Sequence, residues 1–206
     1  MIEAFQNGMP GTRNVPVEGA LIALGANLAE GDRSPRETLE AALLALEEDG
    51  FAVKARSRWW RSPAFPPGSG PDFVNGAARI VGSRGDVDAE TVLKALHRVE
   101  RSLGRERRAR WAPRVCDLDL LAIGSRVLPD PETLGDWMAL TAEEAGERLP
   151  ATLLLPHPRL HERGFVLAPL AEVARDWRHP LTLQTVGEML EALPETALDG
   201  LQPIDA

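Results

Sequence analysis

The chain carries two helix-start signals, each with its own glycine stop, and each helix falls between runs that read as strands. Ser34-Pro35-Arg36-Glu37 supplies a capping hydroxyl, a proline at the first helical position and a glutamate three residues after the cap, which together make a capping box. Leu39, Leu43, Leu44 and Leu46 follow mostly on one face, and Gly50 ends the helix. Asp88 caps a second helix that Gly104 closes. Around them lie GALIALGANL (19–28), FAVKARSRWWRSP (51–63), DFVNGAARIVG (72–82) and VCDLDLLAIG (115–124). The 51–63 run alternates apolar and polar at period two and reads as one half-exposed strand. A Pro/Gly loop, AFPPGSGP, leads from it to the next strand. The order β-α-β-β-α-β is that of a ferredoxin-like split βαβ unit, an α+β fold with an antiparallel sheet and helices on one face.

Residues 1–17, with scattered Gly, Pro and Asn, read as an N-terminal extension to one domain spanning 18–206. Past Gly124 a long insertion at about 128–153 is expected, with a short helix at 141–148. Additional C-terminal helices are expected within 163–176 and 182–193. No apolar run approaches the ~20 residues that span a bilayer, and no secretory leader is visible at the N-terminus. With Cys116 as the only cysteine, no intrachain disulfide is available, and a reducing, cytoplasmic home is expected with no membrane partner. The net charge of −8 speaks against a general nucleic-acid binder, which would need a basic face.

The fourth strand carries two acids one residue apart. In a strand, residues i and i+2 share a face with Cα atoms about 6.5–7 Å apart. Asp117 and Asp119 therefore project together, while Cys116, Leu118 and Leu120 face the helices. Side-by-side carboxylates repel unless something positive lies between them. Two readings fit the pair taken alone: a solvated sheet face paired with arginines, or a hard-cation site of the kind Mg²⁺ favours. Just upstream, Arg105, Arg107, Arg108, Arg110 and Arg114 crowd into a short Pro-containing loop. Guanidinium groups bind phosphates bidentately, so the loop is either a solvated basic segment or half of a polyphosphate–metal site. Neither a GxxxxGK[ST] cradle nor a GxGxxG turn is present, so any nucleotide would have to be held by side chains and metal. A nucleic-acid-binding ferredoxin-like module is the alternative from another class; it would show aromatics on an open, basic sheet.

LGANL, SP, PDFVNGA, LHRVERSLGR, RWAPRVCDLDLL and LPHPRLHERGFVLAPLAE occur in an order that resembles the 6-hydroxymethyl-7,8-dihydropterin pyrophosphokinases of folate biosynthesis, over roughly residues 18–180. The resemblance implies the same ferredoxin-like core and transfer of pyrophosphate from ATP to the hydroxymethyl oxygen of the dihydropterin, with AMP released and two Mg²⁺ used. It implies that Asp117 and Asp119 hold the metal, that Arg105, Arg107, Arg108 and Arg114 serve catalysis, and that Leu93, His97, Arg110, Arg114, His157 and Arg163 meet ATP. Glu100 matches a further helix position on the adenine side. Phe73 and Phe165 would sandwich the pterin, Asn75 would read its polar edge, and Ser62, Pro63, Phe65 and Trp111 would complete the pocket. Weak association with other folate-pathway enzymes is also implied, since members are sometimes fused to them.

The chain departs from the family at three points. The loop from Gly104 to Trp111 is one residue short, which leaves the roles of Arg107 and Arg108 interchangeable. The 128–153 connection, with Trp137 and Met138, is longer than usual. Phe73 lacks the hydroxyl of the tyrosine often found at that position. None of these touches the expected metal ligands.

Overall fold

The computed structural model describes residues 19–64, 68–83, 88–104 and 115–204. The expected order is present: β1 (Ala20–Ala26), α1 (Pro35–Glu48), β2 (Phe51–Arg56), β3 (Trp60–Ser62), β4 (Phe73–Gly82), α2 (Ala89–Ser102) and β5 (Asp117–Ile123). Ser34 and Glu37 form the reciprocal capping box, and the Asp88 carboxylate accepts the Thr91 N–H at the start of α2. All sheet pairings are antiparallel, in the order β5-β1-β4-β3, with β2 also on β4. This is the arrangement expected of the split βαβ unit.

One core lies between the sheet and α1 with α2. Leu39, Leu43 and Leu46 from α1 meet Val92, Leu96 and Val99 from α2 over Ile22, Leu24, Leu118 and Leu120. Each fully buried leucine contributes about 1.5–3 kcal/mol. Leu44 is the exception to the expected apolar face, since it is 62% exposed.

The expectation of helices on one face only is corrected by a second core. Leu21, Ala77 and Leu121 on the opposite face are covered by Val166, Leu167 and Leu170 of α5 (Gly164–Ala174) and by Met189 of α6 (Val186–Glu191). The mean hydropathy of α5 explains this. Its apolar residues run nearly all round, as suits a helix buried against a sheet.

The single strand expected over 51–63 is two. Between the pairs Arg56↔Ala78 and Trp60↔Asn75, residues Ser57, Arg58 and Trp59 oppose only Ala77 and Gly76. Such a bulge reverses which residues face which side beyond it. The Ser57 hydroxyl secures the bulge by accepting the Ala77 N–H at 3.0 Å.

The insertion contains more helix than expected. Besides α4 (Ala142–Glu147), near the 141–148 expected, it forms α3 (Pro131–Ala139), capped by Asp130 with Pro131 in the first turn. Leu128 and Leu155 close the insertion with paired backbone hydrogen bonds of 2.8 and 3.1 Å. A final short strand, β6 (Gln202–Pro203), adds to the β3 edge. No described helix is long and apolar enough to cross a membrane.

Candidate active site

Strand register sets the site. Asp117 of β5 lies opposite Gly25 of β1, which lies opposite Asn75 of β4, which lies opposite Trp60 of β3. The next row runs Asp119, Ala23, Ala77. Directly opposed residues of antiparallel strands share a face, with Cα atoms about 4.5–5.5 Å apart. Both acids therefore stand about two strand spacings from the β4 wall, across a floor that bears only a glycine and two alanines. Gly25 is the candidate-site residue that sequence reading missed. A Cβ there would reach Asn75 Oδ1 at 3.6 Å, so its absence keeps the space before that amide open.

Ala77 belongs to the α5-side core, so the acids, the floor and Asn75 all share the face on which α5 begins. Cys116, Leu118 and Leu120 are buried on the other face, against α1 and α2, as the alternation required. Asp117 and Asp119 are both half-buried.

On the β4 side, Asn75 (5% exposed) donates from Nδ2 to the Ser62 hydroxyl (8% exposed) at 2.9 Å. Phe73 is half-buried on the same face, opposite Ser62, and Pro63 is exposed at the rim. Phe165 stands in the first turn of α5, 42% exposed, with the Arg163 guanidinium 5.9 Å from its ring centre.

Arg163 and His157 supply the positive and hydrogen-bonding side. Burial pushes the Arg163 guanidinium below its ordinary value, while Asp119, and less strongly Asp117, pull it back up. A guanidinium retains its charge regardless, so one cation faces both acids. His157 follows Pro156 and is fixed by its N–H on the Leu121 carbonyl at 2.7 Å. Burial, then the nearby Arg163, push its imidazole down to about 3. Nδ1 accepts the Arg159 N–H at 3.1 Å, so the neutral ring carries its proton on Nε2, a donor suited to a phosphate oxygen.

The α2 residues separate from this group. Leu93 and His97 lie half-buried on a helix that packs against the opposite face of the sheet. They reach a ligand in the trough only around the β5 edge. Glu100 lies buried next to β5, with Oε1 accepting the Leu118 N–H at 2.9 Å. It thereby anchors the strand between the two acids. Phe65, Arg105, Arg107, Arg108, Arg110, Trp111 and Arg114 lie outside the described residues. Among the described residues no group of three or more His, Cys, Asp or Glu gathers as a metal cage. Two half-buried carboxylates on one strand face instead fit a divalent cation whose other ligands are water and ligand oxygens.

The fold and this trough define a ferredoxin-like α+β protein with an acid-lined cleft under the start of a helix. The sequence matches the family described as 7,8-dihydro-6-hydroxymethylpterin-pyrophosphokinase (HPPK) across residues 21–175, and the chain belongs to that family. It is 33% identical over 186 residues to a Synechocystis sp. protein named 2-amino-4-hydroxy-6-hydroxymethyldihydropteridine pyrophosphokinase, covering 90% of this chain and 81% of that one. A Pseudomonas aeruginosa protein of the same name is 34% identical, covering 90% of this chain and 98% of its own. An Arabidopsis thaliana folate synthesis bifunctional protein is 31% identical, and 74% of this chain matches 23% of it.

Among solved structures, an HPPK-DHPS in complex with substrates superposes with a TM-score of 0.57 at 12% identity, covering 88% of this chain and 46% of that one. Wild-type Plasmodium falciparum HPPK-DHPS gives 0.53 at 11% identity, covering 84% and 44%. This chain thus spans under half of those longer proteins, and at such identity the likeness carries the fold alone.

Proposed function

We propose that this chain transfers the pyrophosphoryl group of ATP to the hydroxymethyl oxygen of 6-hydroxymethyl-7,8-dihydropterin. That oxygen bonds the β-phosphorus, the α–β bridging bond breaks, and AMP leaves with the electron pair while the hydroxyl proton is lost. The reading is carried by the row Asp117–Gly25–Asn75, which sets an anionic wall and an amide wall on either side of a bare floor in a member of this family.

In this reading the Asn75 amide and Ser62 meet the polar edge of the pterin, and Phe73 and Phe165 stack on its faces. Pro63 and Phe65 close the rim. Asp117 and Asp119 hold two Mg²⁺. When bound, the metal neutralises charge on the phosphate oxygens during transfer. Arg163 and the His157 Nε2 proton orient the phosphate tail, and Arg105, Arg107, Arg108, Arg110, Arg114 and Trp111 act from the loop. Leu93 and His97 flank the adenine. The occurrence of this unit in bifunctional folate-synthesis proteins supports weak association with other enzymes of that pathway. A nucleic-acid role is disfavoured, because the second sheet face is covered by α5.

The test is product analysis after incubation with ATP, Mg²⁺ and the dihydropterin. AMP is expected in amounts matching the pterin diphosphate; release of ADP instead would refute the reaction type. Asp117→Asn and Asp119→Asn should each cut turnover about a hundredfold or more, as loss of a key electrostatic group does, with an unchanged fold by circular dichroism. Full activity in either variant would remove the metal-site reading.

A further inference from the structure

The stretch after α6 presses on both walls of the trough. A Cβ on Gly164 would lie 2.2 Å from the Ala197 carbonyl oxygen and 2.9 Å from Leu198 Cδ2. The short 3-10 turn Glu195–Leu198 is therefore seated directly on the residue between Arg163 and Phe165. Two residues beyond Leu198, Gly200 (φ +70°) comes so close to the rim that a Cβ would stand 2.7 Å from Pro63 Cγ and 3.1 Å from Pro63 Cδ. Only a glycine meets both demands, the left-handed backbone and the missing side chain.

Both ends of the stretch are fastened. The Leu201 N–H donates to the Leu198 carbonyl at 3.0 Å, which holds the turn between the two contacts. Beyond it, β6 pairs with β3, Gln202 opposite Arg61 and Pro203 opposite Trp60. The Ile204 N–H donates to the Trp59 carbonyl at 2.8 Å, and its side chain packs against the core under α1 and α2. One segment thus joins the strand that carries Ser62 to the first turn of the helix that carries Phe165.

We propose that residues 195–204 are a strap that sets the separation of the Pro63 wall and the Phe165 wall. Leu198 and Gly200 are then positioning residues for the flat heterocycle, and the inference rests on the pterin reading above. A ring clasped between two walls is sensitive to their spacing, since a gap of about 0.5–1 Å forfeits about a quarter to a half of each contact energy. The strap acts on the pterin side and leaves the acids on β5, four strands away from β6, untouched.

The experiment is calorimetric titration of 6-hydroxymethyl-7,8-dihydropterin into protein saturated with Mg²⁺ and α,β-methylene-ATP, alongside titration of that nucleotide itself. Gly200→Ala and Gly200→Val should raise the pterin Kd in graded fashion, by about tenfold for valine, the scale of an overpacked contact. The nucleotide Kd should stay within about twofold, a split that general unfolding would not produce. Should Gly200→Val not fold, deletion of residues 199–206 frees Pro63 without adding a strained side chain and carries the same expectation. Cooperatively melting variants that bind pterin as tightly as the parent overturn the strap while leaving the pterin site standing. A parent protein that binds the nucleotide but no pterin overturns the substrate reading, and the strap with it.

Discussion

A primary amide offers two N–H donors and one oxygen with two lone pairs. In Asn75 one N–H is spent on Ser62, which leaves one donor and the oxygen, beside Gly25, for a ligand edge. Ser62→Ala would strand that N–H in a buried position, a cost of about 1–3 kcal/mol, and release the amide to rotate. The pterin Kd should rise about tenfold, while Ser62→Thr, which keeps the hydroxyl, should bind nearly as the parent does. Equal binding by Ser62→Ala would show that the hydroxyl does not orient the amide. Both side chains were singled out in the sequence as candidate pocket residues, through PDFVNGA and the SP that precedes the loop. Their bond was not, because register between β3 and β4 is not written in either strand alone. Gly25 escaped for a related reason. In GALIALGANL it reads as turn chemistry, and only the pairing with Asp117 and Asn75 makes it a floor.

At the scale of elements, the bulge at Ser57–Trp59 does the aiming. Without it Ser62, six residues after Arg56, would share the face of Arg56 and Ala78 and point into the α1/α2 core. With it, Trp59 goes to that core (3% exposed) and Ser62 turns to the site. The alternation across 51–63 hid the break, because period two persists on both sides of the inserted residue. The adjacent tryptophans find separate layers for the same reason. Trp60 donates its Nε1 proton at 3.1 Å to Glu172 of α5, which also receives three hydrogen bonds from Arg58. Burial works to raise the Glu172 carboxyl, but these bonds outweigh it and hold it below the usual carboxylate range. Trp59 presses instead on Gly76, where a Cβ would lie 2.6 Å from its Cζ3. Gly76→Ala should cost about 1–3 kcal/mol of stability, read as a lower denaturant midpoint. Gly76→Ala with Trp59→Leu should cost less than the sum of the two singles, because the smaller side chain relieves the overlap. Additive costs would mean that the indole does not define this contact. Elements with weak or short signals were the ones missed. The Asp130-Pro131 cap of α3 was present in the sequence, but Leu134 is the single buried residue of that helix, too little apolar rhythm to mark it. The two residues of β6 have no period at all.

Across the whole molecule, the D-x-D pair was legible because alternation on a strand decides the face of every residue at once. The layer above it was not, because a helix at 163–176 does not announce which side of the sheet it covers. Placing α5 and α6 on the acid face makes two packed layers, beside which His179 is buried and His157 half-buried. His157 is pushed down to about 3 by burial and Arg163, against an opposing pull from Asp117. His179, fully buried, is pushed down to about 4 by burial and by neighbouring His161. Its Nδ1 accepts the N–H groups of Leu181 and Thr182 at 3.2 and 3.3 Å, while Nε2 has no partner among the described residues. Both histidines are thus neutral when folded and take up protons near their ordinary value of 6.5 when unfolded. With the folded values depressed, the stability they contribute is complete above pH 6.5, falls as the pH drops below it, and is lost by about pH 3–4. For His179 alone the linkage is on the order of 3 kcal/mol. Because Nδ1 is the ring atom of His179 that accepts from the chain among the described residues, His179→Asn keeps an acceptor for the Leu181 and Thr182 N–H groups and removes the titration. Denaturant midpoints at pH 7.5 and 4.5 should therefore fall steeply for the parent and less steeply for His179→Asn, with the remaining slope belonging to His157 and the carboxylates. Parallel slopes for the two proteins would show that the imidazole is not held neutral between α5 and α6.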